Sequence, residues 1–92
     1  MSQAPTKVSL KLMAGHEADA VASVLATAYP HAVIEHFPAY ISVEARETLR
    51  LQIPQVAALL GDDYDVTRFL VILSSYVGTI NVDDDDVVLT AT

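Results

Sequence analysis

Polar and apolar residues alternate over Lys7-Val8-Ser9-Leu10-Lys11-Leu12, placing Val8, Leu10 and Leu12 on one face of a half-buried strand. From His16 to Tyr29 the period lengthens. Ala18, Val21, Ala22, Leu25 and Ala28 recur at helical spacing, with Glu17 and Asp19 in the first turn, where the helix dipole favours acid, and Pro30 at the end. Ala32–Glu35 and Tyr40–Glu44 are short β-branched runs on either side of Phe37-Pro38-Ala39, and they predict a hairpin. Leu49–Ile53 alternates again. Pro54 suits the first position of a helix over Gln55–Leu60 that Gly61 closes, and Asp62, Asp63 and Asp65 offer caps for one further helical turn. Leu70–Ser75 is expected as a strand apolar on both faces, Gly78 permits a bend, and Val87-Val88-Leu89 supplies a last strand.

The predicted order is β-α-β-β-β-α-β-β, an α+β fold with a largely antiparallel sheet and two to three helices. Residues 1–6 are expected as a flexible lead and residues 7–92 as one domain, in keeping with a chain of 92 residues. Leu70-Val71-Ile72-Leu73 stands out because so few helical residues can cover about one face of such a sheet. Either a loop or a curl of the sheet covers the other face, or a partner does.

Composition narrows the function. With 52% hydrophobic residues and a mean hydropathy of +0.37 the chain folds, and 12 acidic against 5 basic residues give a net charge of -7. That charge works against nucleic acid, whose phosphates are bound by Lys and Arg, and against anionic membrane surfaces. Phe69–Leu73 is five apolar residues, where a spanning helix needs about 20. The start of the chain has no continuous apolar segment of the secretory kind, and there is no cysteine for a disulfide, thiol nucleophile or zinc thiolate. A cytoplasmic protein is expected.

Candidate chemistry is sparse. His31 and Glu35 have the spacing of a helical metal pair, but they fall on a predicted strand, where four residues span about 13 Å and cannot share one ion. Asp83-Asp84-Asp85-Asp86 lacks the glycine and the terminal glutamate of an EF-hand loop; it reads as a solvated turn or as a patch that steers a basic partner. Ser74-Ser75-Tyr76-Val77-Gly78 is not a G-x-S-x-G elbow, and Gly15, Gly61 and Gly78 form no phosphate cradle. No catalytic residue, cofactor or metal site is assigned.

The sequence Pro30-His31-Ala32-Val33-Ile34-Glu35, then Pro38, Ile41-Ser42-Val43-Glu44-Ala45, Ile53 through Gly61 and Asp63-Tyr64-Asp65-Val66 resembles the small coupling or effector proteins of bacterial multicomponent diiron monooxygenases, the phenol hydroxylase type most closely. Val71, Leu73, Ser75, Gly78, Asp83–Asp86 and Leu89-Thr90 extend the likeness, which runs from Pro30 to Thr90. The resemblance implies a cofactor-free, non-catalytic protein. Its partner would be the hydroxylase, bound near the diiron centre so as to alter oxygen activation, substrate access and the coupling of electrons to product.

On that footing the expected hydroxylase contacts are Phe37, Pro38 and Tyr40 at the hairpin turn, with Ile72, Ser74, Ser75, Tyr76 and Gly78 around the late strand. Ordinary hairpin packing is the competing role for Phe37 and Tyr40. Ile72 stands where phenol-type sequences carry asparagine, the aromatic ending of those sequences is missing at Ala91-Thr92, and there is no long N-terminal extension of the methane type. The hydrocarbon substrate therefore stays open. Two other functions compete: a ferredoxin-like module sensing a small molecule, by fold analogy alone, and a small isomerase or hydrolase using His31 or Glu35.

Overall fold

A computed structural model describes residues 7–91, so the expected lead over residues 1–6 lies outside the described residues. In chain order the elements are β1 (Lys7–Met13), α1 (His16–Ala28), β2 (Val33–His36), β3 (Tyr40–Arg46), β4 (Thr48–Gln52), α2 (Ile53–Leu60), α3 (Val66–Ile72), β5 (Leu73–Val77), β6 (Thr79–Val82) and β7 (Asp86–Thr90). The strands form two antiparallel sheets, in the orders β2-β3-β1-β5 and β4-β7-β6.

The chain passes between the sheets at two single-residue corners. Gly78, at φ 125°, joins β5 to β6, and a Cβ there would lie 2.7 Å from the Thr90 carbonyl oxygen and 3.2 Å from Val8 Cγ1. Only glycine fits both the dihedral and the space. Glu47, at φ 67°, joins β3 to β4 in a left-handed conformation that costs about 1 kcal/mol for a residue with a Cβ. Its carbonyl accepts the Ala91 N–H at 2.8 Å, which ties the end of β7 to this second corner.

Alternation then fills the space between the sheets. Val8, Leu10 and Leu12 of β1 and Ile41 and Val43 of β3 point inward with Leu49, Leu51, Val87 and Leu89 of the second sheet. Ala18, Val21, Ala22 and Leu25 of α1 pack onto them, as the helical spacing predicts, whereas Ala28 is exposed. Phe69 of α3 is the largest fully buried side chain. Burial of such a ring contributes about 2–3 kcal/mol. The Gly61 N–H closes α2 by donating to the Ala57 carbonyl at 2.8 Å, and Pro54 occupies the first turn. At the end of α1, the Tyr29 hydroxyl accepts the Arg50 N–H from β4 at 2.8 Å.

The C-terminal third departs from the sequence expectation. Leu70, Val71 and Ile72 are helical rather than extended, because Asp65 caps α3 by accepting the Arg68 N–H at 2.9 Å and the helix runs on to Ile72. A short apolar run fits a buried helix as readily as a buried strand. Three strands, not two, follow; the additional one, β6, reads Thr-Ile-Asn-Val. The single sheet anticipated is divided into two by the corners.

Gly78→Ala is expected to lower unfolding free energy by at least about 2 kcal/mol, since backbone rather than a flexible side chain stands in the way. At the other corner Glu47→Gly should change stability by less than about 1 kcal/mol, strain relief being offset by chain entropy. Urea denaturation of both variants checks this contrast, and equal midpoints would refute it.

Candidate docking surface

Sheet register decides which predicted contacts share a surface. Antiparallel partners lie on one face, so Lys7, Ser9, Lys11 and Met13 of β1 face outward together with Arg46, Glu44, Ser42 and Tyr40 of β3, and Ser75 and Val77 of β5 join them. The serines make the middle of this outer face flat. It also carries Lys7, Lys11 and Arg46, three of the five Lys and Arg residues in the chain. The Lys7–Glu44 pair, 3.4 Å apart and exposed, adds little stability.

At one end of the first sheet, Phe37 stacks on Tyr40 with ring centroids 4.6 Å apart and planes at 23°. The Phe37 N–H donates to the Tyr40 carbonyl at 2.8 Å, and Lys11 Nζ lies 5.3 Å from the Tyr40 ring centre. Phe37 and Pro38 are exposed and Tyr40 is half-buried. This pair holds the turn while offering one aromatic face outward.

The second predicted group begins at the same end. Leu12 pairs with Ile41 on one side and with Leu73 on the other, so Ile72 and the start of β5 stand two strand spacings, about 10 Å, from the start of β3. Ser74, Ser75 and Tyr76 are exposed, Ile72 is half-buried against the core, and Gly78 sits at the corner. Val71 and Val77, which are 70% and 62% exposed, are not among the expected contacts, although Val71 lies in the run Leu70–Leu73 for which a covering partner is one reading. Val71 belongs to the apolar run Phe69–Leu73 and Val77 follows Ser74-Ser75-Tyr76; their exposure shows only once the helix and the edge strand are placed.

Elsewhere the polar groups hold the fold. Arg68 bridges Glu17 at 2.7 Å and Asp62 at 3.1 Å and lies 5.0 Å from the Tyr64 ring centre, joining the loop before α3 to the first turn of α1. The bond to Glu17 raises the Arg68 pKa, and the bond to Asp86 at 2.6 Å does the same for Arg50. The Tyr64 hydroxyl is buried without a hydrogen-bond partner, and burial pushes its pKa well above the ordinary phenol range, with Glu17 adding to the rise. Asp86 is thus engaged, while Asp83, Asp84 and Asp85 form the exposed β6–β7 turn.

Among the described residues no three His, Asp or Glu side chains are grouped to hold a metal, and no helix is long and apolar enough to cross a membrane. The void between the sheets, lined by Leu10, Leu25, Phe69, Tyr76 and Leu89 among others, is about 10 Å³. That is room for one water, far below the several hundred Å³ of a metabolite site. Two sheets joined at corners also differ from the single sheet of a ferredoxin-like sensor.

What the molecule presents is a flat sheet face, an aromatic turn and an exposed apolar edge, the features of a protein-binding domain. The chain belongs to the MmoB/DmpM family, whose model matches residues 6–90. It is 40% identical over 60 residues to the stimulatory component DmpM of phenol 2-monooxygenase from Pseudomonas sp. (strain CF600), covering 65% of this chain and 67% of that one. A chain from the phenol hydroxylase–regulatory protein complex superposes with a TM-score of 0.84 at 26% identity, over 94% of this chain and 99% of that one. The soluble methane monooxygenase regulatory protein B shares the fold, with a TM-score of 0.73 at 22% identity, over 100% of this chain and 70% of that one.

Exposure separates two neighbouring positions. Val71→Asp should leave thermal stability within about 0.5 kcal/mol of the parent, while Ile72→Asp, which places a charge against the core, should cost about 2 kcal/mol or more. Equal losses in thermal denaturation would refute the placement of Val71 in solvent.

Proposed function

We propose that this chain is the regulatory component of a soluble multicomponent monooxygenase and acts by binding its diiron hydroxylase. The observation that carries this reading is the likeness, over two thirds of both chains, to a protein that is the stimulatory component of phenol 2-monooxygenase. The superposition on a chain of the phenol hydroxylase–regulatory protein complex supports it across nearly the whole length. The protein is not itself the catalyst; iron and oxygen chemistry belong to the hydroxylase. Residues 7–92 act as one regulatory domain, in the cytoplasm.

The physical content of regulation is linkage. A bound regulator shifts the hydroxylase only as far as it binds one conformation better than another, and the effect is reciprocal. Contacts made by Phe37, Pro38 and Tyr40 at the turn, and by Ile72, Ser74, Ser75, Tyr76 and Gly78 along the late strand, stabilise the hydroxylase state in which substrate access, oxygen activation and electron delivery are matched. Phe37 serves as the anchor, since a rigid exposed aromatic ring adds buried area at small entropic cost.

Titration of the chain into purified hydroxylase and reductase should raise product formed per NADH to a plateau; a flat titration would overturn the reading. Phe37→Ala should raise the half-saturating concentration about tenfold while leaving the far-ultraviolet circular dichroism unchanged. Changing Asp83, Asp84 and Asp85 together to Asn, with Asp86 kept for its bond to Arg50, should slow association several-fold at low salt and flatten its salt dependence, as stopped-flow binding would show.

A further inference from the structure

The four outer strands of the two sheets are not equally protected. β2 is short, carries Glu35 and is flanked by Pro30 and Pro38, all devices that discourage further pairing. β4 has its outward Arg50 N–H taken by the Tyr29 hydroxyl at 2.8 Å. β5 and β6 have neither charge, proline nor a side-chain cap; β6 is as short as β2 and β5 is irregular at Ser74, but from Ser75 onward the edge is unguarded. They run as one ten-residue edge, Leu73–Val82, around the Gly78 corner, and the chain carries no charged residue and no proline from Phe69 to Val82.

The direction of each backbone group on this edge follows from the ladders. The Ala14 N–H donates to the Ala39 carbonyl, so alternation makes Leu12–Ile41 and Leu10–Val43 hydrogen-bonded pairs and turns Ser9 and Lys11 toward β5. Val77 and Ser75 then bond to β1, and Tyr76 points its N–H and C=O away from the sheet. The Asp83 N–H donates to the Asp86 carbonyl, so Asn81 bonds to Val88, and Ile80 and Val82 point outward. The same alternation turns Arg50 outward on β4, where its N–H indeed meets Tyr29. No described backbone hydrogen bond reaches the outer side of Tyr76, Ile80 or Val82. Their side chains lie on the inner faces of the sheets, yet Tyr76 and Val82 are 44% and 43% exposed, so the rim of the core is open along the same line.

We propose that β5 and β6 form a strand-acceptor edge, on which an extended, uncharged segment of the hydroxylase adds as a further β-strand, with a lysine or arginine next to the Val82 end facing Asp83–Asp85. The proposal rests on the reading of the chain as a hydroxylase regulator. Main-chain bonds to Tyr76, Ile80 and Val82 supply affinity, and alternate side chains of the incoming strand cover the open rim and supply selectivity. A second copy of this chain is the poorer occupant. It brings another net charge of -7 and no basic residue within Leu73–Val82 to meet the acidic turn.

Amide hydrogen exchange of the isotopically labelled chain, free and saturated with purified hydroxylase, tests the proposal residue by residue. Exchange at Tyr76, Ile80 and Val82 should slow about tenfold or more on binding, while the already bonded Ser75, Val77 and Asn81 change less. Val82→Pro removes an outward N–H and no bond to β7, so it should weaken binding about tenfold, with Val82→Thr close to the parent. Unchanged exchange at the three outward amides, in a complex that does raise product per NADH, would overturn the strand acceptor and leave the regulator reading standing. A chain that neither binds nor stimulates the hydroxylase would overturn the regulator reading, and the acceptor with it.

Discussion

The close approach of Gly78 to the Thr90 carbonyl, 2.7 Å from where a Cβ would stand, sets how the two sheets meet. At that corner β5 leaves the side of β1 and becomes β6 at the side of β7 without a loop between them. Glu47 performs the same passage for β3 and β4, held by the Ala91 N–H. Because both crossings use one residue, the registers of the two sheets are coupled: a slip in either would move Gly78 or Glu47 out of its corner and turn inward side chains outward. The shared core of Leu10, Leu51, Phe69 and Leu89 depends on that coupling.

The same corners decide what is left uncovered. The helices lie against the inner side of the strands, which leaves the outer face of the first sheet with its serines, three cations and the Phe37–Tyr40 stack. They also align β5 with β6 into one continuous edge. Half of the twelve acidic residues are elsewhere, Asp62, Asp63 and Asp65 in the loop before α3 and Asp83–Asp85 in the β6–β7 turn, so the charge is unevenly distributed despite the strongly negative total. Such an asymmetry orients an approaching partner before contact.

The sequence carried the first two thirds of the fold well. Period-two alternation located β1 and β4, β-branched runs on either side of a turn located β2 and β3, helical spacing located α1, and Pro54 and Gly61 bounded α2. The signal failed at Leu70–Ile72, where an apolar run continues from helix into strand and periodicity has no face to choose. It failed at β6 as well, where four residues after a glycine are too few to show a pattern. Family resemblance supplied the partner. The contacts chosen around Ser74–Gly78 fell on an edge, but the openness of that edge depends on which backbone groups the ladders consume, and a linear sequence does not display this. Tyr29 illustrates the converse, as a helix-ending residue whose hydroxyl guards a strand 21 positions away.

The position of β7 has a bearing on how the second sheet assembles. This strand, the last among the described residues, lies in the middle of its sheet, between β4 and β6. Without Asp86–Thr90 in place, β4 and β6 have no partner in that sheet, and the Glu47 carbonyl has no donor from Ala91. The second half of the core can therefore close only once Asp86–Thr90 is available to pair. A chain cut before Asp86 would lose not a frayed end but the central strand of the second sheet.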